Sequence, residues 1–162
     1  MSVSMKNLLV ISCSPRERSN SLKIANFIKD NLNKMKVSCD VLELSTYHDK
    51  TQKTEILKKI KGATLILWVS PEYNRSYTSL MKLIIEDLGV ENMQQKLNAI
   101  VSVSSGISSR AGLNQTAALL FSVDSIVITP GIECNKQFLD NPTFEYISPV
   151  IRNLFFWGEK IL

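Results

Sequence analysis

The sequence predicts an α/β domain: a parallel sheet covered by helices on both faces. Two features carry this. Apolar runs of strand length alternate with segments of helical periodicity along the chain. The run Leu8–Ile11 is apolar throughout and Ala63–Ser70 is so apart from Thr64 and Ser70, as in strands buried on both faces.

Taken in order, Lys6–Cys13 reads as the first strand. Asn20–Lys36 reads as a helix with Leu22, Ala25, Ile28, Leu32 and Met35 on one face. Val37–Leu44 is the second strand, and Thr54–Lys61 is a short helix ended by Gly62. Ala63–Ser70 is the third strand, rich in β-branched and aromatic residues. Ser76–Leu88 is a helix with Tyr77, Leu80, Ile84 and Leu88 in line, and Leu97–Ser105 is the fourth strand. Ala111–Ser122 is a helix and Val123–Thr129 the fifth strand. Pro130–Asn141 is the longest irregular stretch, long enough for a functional loop. Asn141-Pro142 supplies an N-cap and first-turn proline for a last helix reaching Ile161, with Phe144, Ile147, Ile151, Leu154 and Phe155 inward.

One domain over residues 1–162 is expected, long enough to bury its own core. No apolar run approaches the roughly 20 residues of a membrane span. Met-Ser-Val-Ser-Met-Lys lacks the apolar core of a signal peptide, so the expectation is a cytoplasmic protein with no membrane partner. The net charge of +4 biases the chain toward anionic ligands. The densest lysines, Lys50, Lys53, Lys58, Lys59 and Lys61, read as a solvated helix face. No basic stripe with interleaved aromatics argues for nucleic acid. Cys13, Cys39 and Cys134 are widely spaced without Cys-x-x-Cys, so neither a disulfide framework nor a metal site is expected. His48 is the single histidine, and any Ser–His or Cys–His nucleophile pair would have to use it.

The most informative stretch is Ser12-Cys-Ser-Pro-Arg-Glu-Arg-Ser-Asn-Ser21, between the first strand and the first helix. Free N–H groups and the dipole at a helix start favour an anion. Ser12, Ser14, Ser19 and Ser21 add hydroxyls, Asn20 an amide and Arg16 a planar cation suited to phosphate. The alternative is a solvated turn with Ser19 or Asn20 as N-cap. Cys13 beside it is either an activated thiol or a small packed residue.

Two strand orders compete, a flavodoxin-like 2-1-3-4-5 and a half-Rossmann sheet. Neither Gly-x-Gly-x-x-Gly after the first strand nor a Walker pattern is present. In the flavodoxin-like order the switch point lies between strands 1 and 3, where ligands bind outside the carboxyl ends. The loops there are Ser12–Ser21 and Ser70–Ser76. Tyr73 and Asn74 offer an aromatic wall and an amide for a planar ligand, or else a turn packed on the neighbouring helix. In the loop after strand 4, Gly106 permits close backbone approach or positive φ.

Ser-x-Arg-x-x-Ser-Asn-Ser after strand 1, Pro-Glu-Tyr-Asn-x-Ser after strand 3 and Ser-Ser-Gly after strand 4 resemble the NADPH-dependent FMN reductase family, which includes quinone, azo-dye and chromate reductases. The resemblance runs from about Asn7 to Asp124. It implies a flavodoxin-like three-layer sandwich with five parallel strands in the order 2-1-3-4-5. By the resemblance, Ser14, Arg16, Ser19, Asn20 and Ser21 match the loop that holds the FMN phosphate. Pro71, Glu72, Tyr73 and Asn74 match the loop flanking the ring, with Arg75 following, and Ser104, Ser105 and Gly106 match the loop at the ring's pyrimidine edge. The chain departs from the family's usual glycine at Cys13 and Arg75, its proline at Thr78 and its Gly-Gly at Ser108-Ser109.

The implied function is FMN-dependent oxidoreduction with NADPH or NADH as donor and a quinone, flavin, azo compound or metal species as small acceptor. No catalytic side chain is expected, because the flavin carries the redox chemistry. An FMN-binding electron carrier or sensor without turnover is the alternative. A homodimer or tetramer is expected, from the family and from the apolar excess of the third helix and of Phe155-Phe156-Trp157.

Overall fold

The computed structural model describes residues 8–161. Lys6 and Asn7 of the predicted first strand, and the chain ends of the predicted domain, lie outside the described residues. The elements run β1 Leu8–Ser12, α1 Asn20–Lys34, β2 Cys39–Glu43, α2 Lys50–Gly62, β3 Leu65–Pro71, α3 Ser79–Met93, β4 Leu97–Val103, α4 Arg110–Phe121, β5 Ile126–Val127, β6 Ile132–Cys134, α5 Lys136–Asp140 and α6 Phe144–Ile161.

The strands pair in the order β2-β1-β3-β4-β5, all parallel, which settles the flavodoxin-like order over the half-Rossmann one. β1, β3 and β4 are buried at every position, as their apolar runs require. Side-chain alternation divides the core into two layers. Leu8, Val10, Leu67 and Val101 pack with Ile24 and Ile28 of α1 and Ile147, Ile151 and Leu154 of α6. Leu9, Ile11, Ile66 and Trp68 pack with Ile56 and Ile60 of α2, Ile84 and Leu88 of α3 and Leu120 of α4. The fully buried Trp68 indole donates to Asn98 Oδ1 at 2.7 Å, so its polar edge is satisfied inside the sheet.

The fifth strand departs from the expectation Val123–Thr129. Two short strands share the β4 edge: β5 opposite Leu97–Asn98 and β6 opposite Val101–Val103. Pro130 has no N–H for the ladder and interrupts it. Gly131 then passes so close to β4 that a Cβ would stand 2.7 Å from the Ile100 carbonyl oxygen. The predicted irregular stretch therefore contains β6 and also α5, whose N-cap Asn135 accepts from Phe138 N.

Three helix boundaries also shift. α2 begins at Lys50 because Asp49 caps it, accepting from Gln52 N at 2.9 Å; its polar first turn has no apolar stripe to read. α3 starts after Thr78 rather than at Ser76, and its regular part breaks at Gly89, where φ is 67°. α6 starts at Phe144, beyond Asn141-Pro142. Met35, expected inward, is 60% exposed; Ser21, Ile24, Ala25, Ile28 and Leu32 make the buried face of α1.

In α3, Leu80, Met81, Ile84, Ile85 and Leu88 are buried in the chain's own core, leaving Leu83 and Val90 exposed at 40% and 41%. Most of the α3 excess is therefore used within the chain. At α6, Tyr146, Phe156 and Trp157 do remain exposed.

Candidate functional site

Three loops meet at the carboxyl edge of the sheet around a cavity of about 160 Å³. The first loop contributes Ser14, Arg16, Ser19, Asn20 and Ser21, the second Pro71, Glu72 and Tyr73, and the third Val103, Ser104 and Ser105. Val103 is a lining residue that the sequence reading missed; its place at the end of β4, beside Ser104, was the available signal.

The first loop is both a cap and a donor array. Ser19 Oγ accepts the N–H of Leu22 at 3.1 Å and so caps α1. Ser21 Oγ donates to Ser19 Oγ at 3.5 Å, and Ser14 Oγ accepts the N–H of Arg16 at 3.1 Å. Because Ser14 and Ser19 are acceptors in these bonds, their O–H protons remain for a ligand. The capping reading and the anion reading are therefore compatible in one loop. The guanidinium of Arg16 lies 5.2 Å from the centroid of the Tyr73 ring and ties the first loop to the second.

Ser12 is placed differently. It is fully buried at the end of β1 and does not line the cavity. Its alternation with Leu8 and Val10 puts it on the face covered by α1. Among the described residues its Oγ is the buried side-chain oxygen with no hydrogen-bond partner.

In the second loop, Tyr73 and Ser76 exchange backbone hydrogen bonds of 2.9 Å across a two-residue turn. Asn74 and Arg75 form that turn with φ of 50° and 66°, both positive as in a type I′ hairpin. Both are exposed at the tip, beside the cavity rather than in its wall. Arg75 thus keeps the backbone a glycine would adopt at this place. Glu72 turns away to α4, where Oε2 accepts the N–H of Gly112 at 2.7 Å.

In the third loop, Ser104 donates its N–H to Cys134 O at 2.9 Å, and its Oγ accepts from Gly106 N at 3.0 Å. Gly106 has no positive φ, unlike Gly89, and does not reach the main cavity. With Ser105 it lines an adjoining depression of about 460 Å³ bounded by Ile107, Asn135 and Lys136. Ser105 is the wall common to both spaces.

The departures from the family pattern are absorbed by packing. Thr78 caps α3, accepting from Met81 N at 3.1 Å, and donates its hydroxyl to Cys13 O at 3.0 Å. Burial pushes the Cys13 thiol up, so it is a neutral packed residue and not an activated nucleophile. His48 is exposed on the β2–α2 turn, away from the cavity lining. Ser108 Oγ and Ser109 N both donate to Glu133 Oε2, at 2.7 and 2.9 Å, and Arg110 Nε lies 2.6 Å from Oε1. Burial would raise the Glu133 carboxyl, but these donors and the Arg110 charge together outweigh it and hold the group below its ordinary range.

A cavity of about 280 Å³ opens at the opposite edge of the sheet, by Leu8, Asp40, Lys59 and Thr64, with fewer hydroxyl and amide donors among the described residues. Chemistry, more than volume, singles out the carboxyl edge. Hydroxyls, an arginine and a helix N-terminus on one side suit a phosphate. Pro71 and Tyr73 on the other suit the flank of a planar ring. The unpartnered Ser12 hydroxyl beneath the first loop adds one more unused polar group. Among the described residues, no group of three or more His, Cys, Asp or Glu side chains could hold a metal ion, and no helix is long and apolar enough to cross a membrane.

Sheet order defines a flavodoxin-like α/β protein whose switch point brings hydroxyls, an arginine and an aromatic ring around one cavity. The chain belongs to the NADPH-dependent FMN reductase family, whose model matches residues 6–134. A comparison with curated proteins finds no match. Among solved structures, the fold is similar to an oxidoreductase from Corynebacterium diphtheriae, at TM-score 0.75 and 18% identity over 97% of both chains. It is also similar to FerB, a flavoenzyme NAD(P)H:(acceptor) oxidoreductase from Paracoccus denitrificans, at TM-score 0.68 and 15% identity over 96% of this chain and 94% of that one. A flavodoxin from the domain Archaea superposes at TM-score 0.66 and 20% identity over 97% and 99%.

Proposed function

We propose that this protein is an FMN-dependent NAD(P)H oxidoreductase that alternates between a nicotinamide donor and a small acceptor of the quinone, flavin, azo or metal-complex type. Family membership supports the reading, and the observation that carries it is the single cavity shared by the first loop's donors and Tyr73. Bound FMN would supply the two-electron relay between donor and acceptor. Ser14, Arg16, Ser19, Asn20 and Ser21 would hold the phosphate, helped by the N-terminus of α1. Pro71 and Tyr73 would flank the ring, with Asn74 at the hairpin tip beside it, and Ser104 and Ser105 would offer hydroxyls to its polar edge. No side chain of the site is given an acid–base role.

Titration of the purified chain with FMN tests this first. Binding should quench flavin fluorescence, and no binding at about 50 μM FMN would remove the reading. Steady-state oxidation of NADPH and NADH with a quinone, an azo dye, free flavin and a ferric chelate then names the acceptor class. An electron carrier without turnover is the second reading. It is favoured by the flavodoxin likeness and by the short connection between β2 and α2, residues 44–49. Rapid turnover with either nicotinamide excludes it.

We further propose a cytoplasmic location and a homodimer or tetramer; the exposed aromatics of α6 support the assembly. Light scattering at micromolar concentration should give at least twice 18.2 kDa. A monomer mass would refute the assembly and leave the FMN reading standing.

A further inference from the structure

Among the described residues, the non-glycine positions with positive φ are Arg18, Lys36, Asn74, Arg75, Gln95 and Asp124. Lys36, Gln95 and Asp124 follow the ends of α1, α3 and α4, where a left-handed residue terminates a helix. Arg18, Asn74 and Arg75 terminate no helix. They lie on the first two loops of the candidate site, with φ of 52°, 50° and 66°. A left-handed backbone suits asparagine but is unfavourable for arginine, and glycine relieves it. Strain at a site edge points to a side chain kept for what it does.

The arginines stand around one rim. Arg16 lies over Tyr73, Arg75 is two residues beyond Tyr73 at the hairpin tip, and Arg18 lies between Arg16 and the N-cap Ser19. All three are exposed. No ion pair is formed by Arg16, Arg18 or Arg75 among the described residues, whose bridges are Lys53–Asp87, Lys82–Glu86 and Arg110–Glu133. Of the acidic residues on these loops, Glu17 is exposed between two of the arginines, and Glu72 is bonded to Gly112. The rim is therefore net cationic, and Arg75 lies outside the cavity lined by the phosphate-loop residues.

We propose that Arg75 is a specificity-determining residue that draws an acid group of an anionic substrate to this rim. The group is either the 2′-phosphate of the nicotinamide donor or the acid group of an anionic acceptor. This rests on the oxidoreductase reading above. A guanidinium forks onto phosphate or sulfonate oxygens as no neutral residue does.

The test compares wild type, Arg75→Gly and Arg75→Lys as FMN-loaded proteins. One arm measures KM for NADPH against NADH, and the other KM for a sulfonated naphthoquinone against its neutral parent. Arg75→Gly should erase about tenfold of charge discrimination in one arm, as expected for one charge-assisted contact. Arg75→Lys should keep part of it. Loss in the donor arm assigns the 2′-phosphate, and loss in the acceptor arm assigns the acceptor. Unchanged ratios in both arms overturn the proposal.

Calorimetric binding of NADP⁺ against NAD⁺, and of the sulfonated against the neutral quinone, gives a readout free of turnover. Wild-type protein that oxidises neither nicotinamide would sink the oxidoreductase reading and leave these titrations to decide the role of Arg75. The melting temperature of the FMN-free chain is the independent check on strain. Arg75→Gly should raise it by about 1–3 °C. A fall would mean that the guanidinium holds the hairpin together, and would overturn the proposal.

Discussion

Glu72 and Gly112 are joined across 2.7 Å, the carboxylate of the second site loop accepting the first-turn N–H of α4. Glu133 accepts the N–H of Ser109 at the same helix start. Two carboxylates thus satisfy donors that Ser109, which makes no side-chain cap bond, leaves open. The positive end of α4 is neutralised from within, while the start of α1 carries only its serine cap. This contrast leaves the start of α1, and not that of α4, with donors open to an anion.

Gly112 leaves no room for a side chain, since a Cβ there would stand 2.9 Å from Cβ and Cγ of Glu72. Gly112→Ala should push Glu72 off α4 and cost about 1–3 kcal/mol of stability. FMN affinity should fall with it, because Tyr73 is the next residue. Adding Glu72→Gly removes both of those Glu72 atoms, so the double variant should lose less than the two single losses summed. Urea denaturation of the full cycle measures the coupling, and strict additivity would remove this account.

Arg16→Ala should weaken FMN binding by about 1.5–3 kcal/mol if the guanidinium meets the phosphate. That is roughly ten- to more than a hundredfold in Kd. Riboflavin lacks the phosphate and should be nearly indifferent. Equal losses for the two ligands would mean that Arg16 acts through its contact with the Tyr73 ring and the loop it orders.

Lys96 is nearly buried, and its ammonium donates to Lys61 O at 2.8 Å and Ala63 O at 2.5 Å, where α2 ends. Burial lowers its pKa, and the two carbonyls at the C-terminal end of α2 accept its N–H groups. Lys96→Met keeps the stem volume and strips both carbonyls of their donor. We expect a loss of about 2 kcal/mol in chemical denaturation. A loss below about 0.5 kcal/mol would show that water replaces the ammonium.

Asp87 receives Lys53 Nζ and the Tyr47 hydroxyl, each at 2.6 Å. The Lys53 hydrogen bond first, then that of Tyr47, holds its carboxyl below the ordinary range. A lowered folded-state value stabilises the protein above the unfolded pKa, about 3.9, and the stabilisation disappears as pH falls through the folded value. Asp87→Asn should cost about 1 kcal/mol at neutral pH, screened by salt because the pair is partly exposed. The variant should also lose less stability than wild type between about pH 5 and 3. Parallel pH profiles would refute the assignment.

The buried strands were legible in the sequence, because burial on both faces leaves unbroken apolar runs; their order was legible only through the family resemblance, since the residues alone left two orders open. That Ser14, Arg16 and Ser19 of the first loop and Tyr73 of the second would share one cavity was legible for a related reason: both loops leave the carboxyl ends of strands at a switch point. The split of the last strand was not, since Pro130-Gly131 reads locally as a turn and only the closeness of β4 shows the ladder resuming at Ile132. Nor was the role of Glu72, because its partner lies 40 residues away on α4. Apolar periodicity showed that α3 is rich in hydrophobic residues, but only the packing of α2 and the sheet around it decided that most of them face the chain's own core. Periodicity is a property of neighbours along the chain and is written in the sequence. Which surfaces meet, and which left-handed residue ends a helix or stands at a ligand's rim, is decided by contacts distant in sequence.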